Sequence, residues 1–160
     1  EQTMWATWEP DIIEKLIAKH RAVNQYLKAK KQKTGYCVLT IIDDFSDAGD
    51  KVMHSSTNAL TSLFIRSRHT GCACWLLSQK TRVISLICRT NFCWMLIWRT
   101  RNAKELAAII EELDALVDRA TLMEMYRMAT ADKHGVPYVN LLNETDQMFY
   151  KAFDQRFVVS

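Results

Sequence analysis

Apolar residues return at helical spacing near the start of the chain. Ile12, Ile13, Leu16, Ile17, Val23, Tyr26 and Leu27 predict a helix over about 11–31, with Asp11 as its N-terminal cap. Its lysine-rich end, KAKKQKTG, sets cations at the helix C-terminus and a glycine stop after them. The pattern then changes. From Tyr36 to Asp44, YCVLTIIDD is a nearly unbroken apolar run, rich in β-branched residues and without alternation, closed by two carboxylates. Such a run predicts a strand buried on both faces of a parallel sheet. A polar loop, FSDAGDKVMHSS, follows, and Ser55 or Ser56 can cap the next helix. In that helix Leu60, Leu63, Phe64 and Ile65 form the apolar face, Arg66, Arg68 and His69 the last turn, and Gly71 the stop. CACWLLSQ predicts a second strand, apolar until Gln79. Lys80 to Leu86 reads as a loop or short helix, and Phe92 to Trp98 as a third strand. Asn102 can cap a helix reaching about Val117, and a further helix over 121–131 stops near Gly135. Val136 to Leu142 predicts a last strand, and Asp146 to Phe153 a short closing helix. Strands alternating with helices imply an α/β fold, a mostly parallel sheet with flanking helices and right-handed crossovers.

With 160 residues, 49% hydrophobic and 24% charged, the chain has the composition of one globular domain over 1–160, and no repeat, low-complexity tract or linker interrupts it. A net charge of +3 does not by itself imply a nucleic-acid partner. Lys28, Lys30, Lys31 and Lys33 make a local basic patch that a solvated loop would also explain. The five cysteines lie in or beside apolar segments, without the spacing of a disulfide framework, so they read as reduced core residues in a reducing compartment. Cys72 and Cys74 would share one face of a strand, but no second pair at zinc spacing follows. No apolar stretch is long enough to span a membrane, and the start, EQTMWATWEP, lacks the order of a signal peptide and an initiator Met.

The chemistry concentrates at Asp43 and Asp44. In open α/β sheets ligands bind beyond the carboxyl ends of the strands, so acids there can hold a cation or orient water. This is a Walker B pattern: one Asp would hold Mg²⁺, usually through water, and the other would polarise an attacking water. A buried strand entering a turn or a helix cap would use the same residues.

Four motifs in order, LTIIDDFSD, LTSLFIRSRHTGCACWLLSQ, ICRTN and FYKAFDQRF, resemble the genome-packaging ATPases of poxviruses and other large DNA viruses, members of the FtsK–HerA superfamily of ring-shaped P-loop DNA translocases. The resemblance covers nearly the whole chain. It implies ATP and Mg²⁺ as cofactors, double-stranded DNA, viral capsid proteins and further copies of the chain in a homo-oligomeric ring as partners, and a site in host cytoplasm, viral factory or virion. It makes Asp43 the carboxylate that holds Mg²⁺ through water and Asp44 the residue that activates water. Gln79 matches the glutamine that senses the γ-phosphate or positions the nucleophile, because an amide both donates and accepts. Arg68, with Arg66 behind it, resembles an arginine finger reaching a neighbouring subunit's nucleotide, although a helix-end cation in a surface ion pair would look the same. Arg89 and Asn91 match an Arg-x-Asn at a sensor or subunit interface, where a side-chain-stabilised turn is the alternative. Lys80, Arg82 and the lysine cluster at 28 to 33 are candidate DNA contacts under this resemblance, and His69 is given no catalytic role.

One departure limits these expectations. The phosphate-cradling motif GxxxxGK[ST] is absent, and the glycines Gly35, Gly49, Gly71 and Gly135 are scattered. In the family that motif lies on a strand and helix ahead of the region present here. The sequence therefore resembles the C-terminal part of a P-loop core, with one side of the Walker B strand left as an uncovered edge. Two other classes compete with a motor fragment: a non-catalytic binding or assembly module, and a metal-dependent nuclease using Asp43 and Asp44, for which Asp47 and Asp50 have no evident reason to converge.

Overall fold

Pro10 opens the first helix, α1 (Pro10–Ala29), where its fixed φ suits the first turn and its missing N–H leaves no bond unmade. The cap position belongs to Glu9, whose side chain makes no capping hydrogen bond. Asp11 instead sits in the first turn, where its charge complements the helix dipole, a correction to its expected role. The computed structural model describes residues 3–33, 37–43 and 59–158, the side chains of residues 67 and 68 excepted. It divides into two compact units, Glu1–Asn91 and Phe92–Ser160.

The first unit is built on one strand–helix–strand crossover. β1 (Val38–Asp43) and β2 (Cys72–Leu77) pair in parallel, with Val38 opposite Cys72 and Asp43 opposite Leu77. Between them runs α2 (Ala59–Thr70), ended by Gly71 at φ 70°, a left-handed conformation that favours glycine. Leu60 and Leu63 of α2, Ile42 of β1 and Cys72 of β2 are buried, α2 packs on β2, and α1 packs on α2. The other face of the pair is bare. Leu39, Ile41, Trp75 and Leu77 are 44%, 57%, 45% and 42% exposed. The expected burial of β1 on both faces is therefore corrected: among the described residues, helices cover one face only. The chain goes on through a 3₁₀ turn, Thr81–Val83, to the short α3 (Leu86–Arg89), capped by Ser85, whose Oγ accepts from the Cys88 N–H at 3.3 Å.

The second unit is antiparallel. Its strands β3 (Trp94–Leu96), β4 (Pro137–Asn140), β5 (Phe149–Lys151) and β6 (Gln155–Arg156) lie in sequence order. Among the described residues the mostly parallel sheet expected from alternating elements is confined to β1 and β2, and the fold is mixed α/β. The expected closing helix over 146–153 is a 3₁₀ turn, Thr145–Gln147, followed by the β5–β6 hairpin, which Ala152 turns at φ 52°. α4 (Ala103–Leu113) starts where Asn102 Oδ1 accepts from the Lys104 and Glu105 N–H groups at 3.0 and 3.4 Å. α5 (Arg119–Ala129) starts where Asp118 accepts from Ala120 and Thr121 at 3.0 and 3.1 Å. A Cβ at Gly135 would lie 2.1 Å from the Ala129 carbonyl oxygen, so only glycine lets the chain turn back under α5. Ile97, Ile110, Leu113, Val117, Leu122, Met125, Val139, Met148 and Phe149 close a continuous core.

Candidate functional site

The parallel register fixes the geometry of the predicted site. Asp43 ends β1 beside Leu77, the last residue of β2, so Gln79, two residues on, emerges at the same carboxyl edge. A Ser78 turn shapes that exit: its Oγ donates to the Lys80 carbonyl at 3.0 Å and accepts the Lys80 N–H at 3.2 Å, holding Gln79 in a bend. Asp43 and Gln79 are both exposed.

The remaining predicted residues divide. Asp44 and the loop after it lie outside the described residues, as does the Arg68 side chain. The Arg68 backbone belongs to the last turns of α2, which delivers the chain through Gly71 to the amino end of β2. Six-residue strands put that end about 17 Å from Asp43. Arg68 is thus not at its own chain's carboxyl edge. Arg89 closes α3 and is half-buried, while Asn91 Nδ2 donates to the Ile87 carbonyl at 2.8 Å and so secures the end of α3. Lys80 and Arg82 are exposed just past β2.

Among the described residues no group of three or more His, Cys, Asp or Glu side chains is arranged to hold a metal ion. A single exposed carboxylate such as Asp43 suits Mg²⁺, which keeps most of its water and completes its shell with phosphate oxygens. Cys72 and Cys88 are buried in the core. Burial pushes the Cys74 thiol up to about 12, with Cys88 adding to the effect, so at neutral pH it remains an uncharged packing group. Cys37 and Cys93 are exposed, a correction to the expectation that all five belong to the core.

What the linear pattern did not reveal lies at the other end of the strand pair. Arg66 and His69 of α2 meet Arg21 and Lys28 of α1 across a groove that also takes in Asn24, Gln25 and Thr70. The signal was present only as spacing: 21, 24, 25 and 28 share one helix face, and 66, 69 and 70 another.

A family model described as Poxvirus A32 protein matches residues 7–153. No curated protein sequence matches. Three solved structures of the genome packaging NTPase B204 from Sulfolobus turreted icosahedral virus 2 are similar. The complex with ATP-gammaS aligns at TM-score 0.58 and 16% identity over 99% of this chain and 66% of that one. The AMP complex gives TM-score 0.59 and 15% identity over 98% and 66%, and the AMPPCP complex 0.53 and 15% over 95% and 63%. The chain thus spans about two thirds of the length of these solved relatives. At such identity the likeness is one of fold: a small parallel sheet with helices, as in a packaging NTPase.

Proposed function

We propose, for a chain that belongs to the poxvirus A32 protein family, that it forms the C-terminal part of a P-loop ATPase core whose ATP hydrolysis drives double-stranded viral DNA into a capsid. The observation that carries this reading is the register of β1 and β2, which sets Asp43 and Gln79 at one carboxyl edge of a parallel pair, where open α/β sheets bind ligands. In this reading Asp43 holds Mg²⁺ through water, and that ion neutralises charge on phosphate oxygens. Asp44 orients and deprotonates the attacking water. Gln79 uses its two-sided amide to report the γ-phosphate. Arg68, remote from its own chain's Asp43, serves the nucleotide of a neighbouring copy in a homo-oligomeric ring, and Arg89 and Asn91 act at that nucleotide or interface.

In this reading the phosphate cradle comes from a preceding strand and helix; the chain spans about two thirds of the length of the solved relatives. That strand would pair on the free edge of β1, and its helix would cover Leu39 and Ile41. Capsid proteins are the docking partners in this reading, and host cytoplasm, viral factory or virion is where it works.

The test is turnover by the intact P-loop-bearing protein. Asp44→Asn is expected to lower ATP hydrolysis about 10²-fold or more while nucleotide still binds, and Asp43→Asn to weaken the Mg²⁺ dependence of binding. Wild-type turnover in Asp44→Asn would overturn the assignment. The alternative reading is an assembly module that keeps the fold without catalysis; an intact protein that neither binds nor hydrolyses nucleotide would favour it.

A further inference from the structure

The groove between α1 and α2 lies at the opposite end of the strand pair from Asp43 and has no part in the proposed hydrolysis. It has a volume of about 360 Å³, enough for about a dozen waters. Among the described residues its lining is Arg21, Asn24, Gln25, Lys28, Arg66, His69 and Thr70: cations and neutral polar groups, with no carboxylate.

Basic residues in the last turns of helices commonly offset the helix dipole, and Lys28, Arg66 and His69 occupy such positions. Arg21 does not. It sits in the middle of α1, where the dipole has no charge to offset, and Asn24 and Gln25 beside it offer amide donors that a dipole does not require. The surrounding sequence points the same way. From Lys15 to Ile42 the chain contains seven Lys and Arg and no Asp or Glu. Arg21 and Lys28, two turns apart on one face of α1, set their charges about 10 Å apart at helical rise. That length matches several phosphates of a duplex, whose strand advances ~3.4 Å per nucleotide.

We propose that this α1–α2 groove binds the phosphate backbone of double-stranded DNA, as a second anion site separate from the nucleotide edge. The choice of DNA as the polyanion rests on the packaging reading. The groove's concavity favours a rod over a flat anionic bilayer, which would want apolar side chains flanking the cations. Arginine, lysine and amide donors contact phosphate oxygens without reading bases, so the site is tolerant of sequence and sensitive to salt.

The experiment is fluorescence anisotropy of a labelled mixed-sequence duplex with the intact protein across roughly 0.05–0.2 M salt. The triple variant Arg21→Ala/Lys28→Ala/Arg66→Ala is compared with a control that removes three exposed cations elsewhere, Arg99→Ala/Arg101→Ala/Lys104→Ala. The groove variant is expected to bind roughly tenfold or more weakly and to lose about three from the slope of log affinity against log salt. The control keeps the wild-type slope, and Arg21→Lys/Arg66→Lys restores most of the binding because phosphate contacts accept a point charge. Four results overturn the proposal: no duplex binding by the wild type, an unchanged groove variant, an equal loss in the control, or groove-dependent binding of anionic lipid vesicles in preference to DNA. Turnover of Asp44→Asn is measured apart, so the groove can fail while the hydrolysis assignment stands, and the reverse.

Discussion

The two halves of this chain solve the same folding problem differently. After Phe92 the antiparallel strands and two capped helices enclose one continuous core, from Ile97 to Phe149. Among the described residues up to Asn91 the sheet has two strands, with α2 on one face and Leu39, Ile41, Trp75 and Leu77 exposed on the other. Charge divides along the same line. The first unit holds 13 Lys and Arg against eight Asp and Glu, net +5; the second holds eight against ten, net −2. Every residue assigned to nucleotide chemistry, and the basic groove, falls in the first unit. The second unit completes its own core, whereas the first leaves apolar surface of the kind that marks contact sites.

Truncating matched apolar residues breaks or sharpens that contrast. Phe149→Ala, in the closed core, should cost about 3–5 kcal/mol in urea unfolding. Ile41→Ala, on the bare face of β1, should cost less than about 1 kcal/mol in the chain as given. A comparable loss at both sites would mean that the face is already covered. Removing the Asn102 cap of α4 by Asn102→Ala should cost about 1 kcal/mol in the same measurement.

A smaller change has the opposite sign. The Thr40 Oγ1 is buried with no hydrogen-bond partner among the described residues, so Thr40→Val should raise the urea midpoint slightly. Acid should act on the second unit. Hydrogen bonds from Thr121 hold the Asp118 carboxyl below its usual range, and a hydrogen bond from Lys151 does the same for Asp132. Both folded values are depressed, so their stabilisation is present above the ordinary carboxylate value and is lost as pH falls through the folded ones. The acid unfolding midpoint of Asp118→Asn/Asp132→Asn, followed by circular dichroism, should therefore depend less on pH below about 4 than the wild type's.

Much of the first unit was legible because its signals are local. The helical spacing before Lys31, the β-branched run before Asp43 and the glycine at 71 each act within a few residues, and a strand–helix–strand order leaves little choice but a parallel pair. The edge shared by Asp43 and Gln79 followed from the two strand ends. The second unit was less legible. Runs such as Phe92–Trp98 show no direction of pairing, and the 3₁₀ turn and hairpin over 145–156 depend on tertiary contacts, with the Tyr138 ring packed at a tilt against those of Tyr150 and Phe153, 5.7 and 5.3 Å between centroids. The groove was hidden for another reason: its cations come from helices about 40 residues apart in sequence, and only packing brings them together.

The central claim is that the first unit presents half of a nucleotide site and lacks its phosphate cradle. Calorimetry with ATP and Mg²⁺ on this chain, and on one extended upstream to include a P-loop, tests it most directly. Binding by the extended chain alone, weakened by Asp43→Asn, is the predicted result. Equally tight Mg²⁺-dependent binding by the 160-residue chain itself would contradict it.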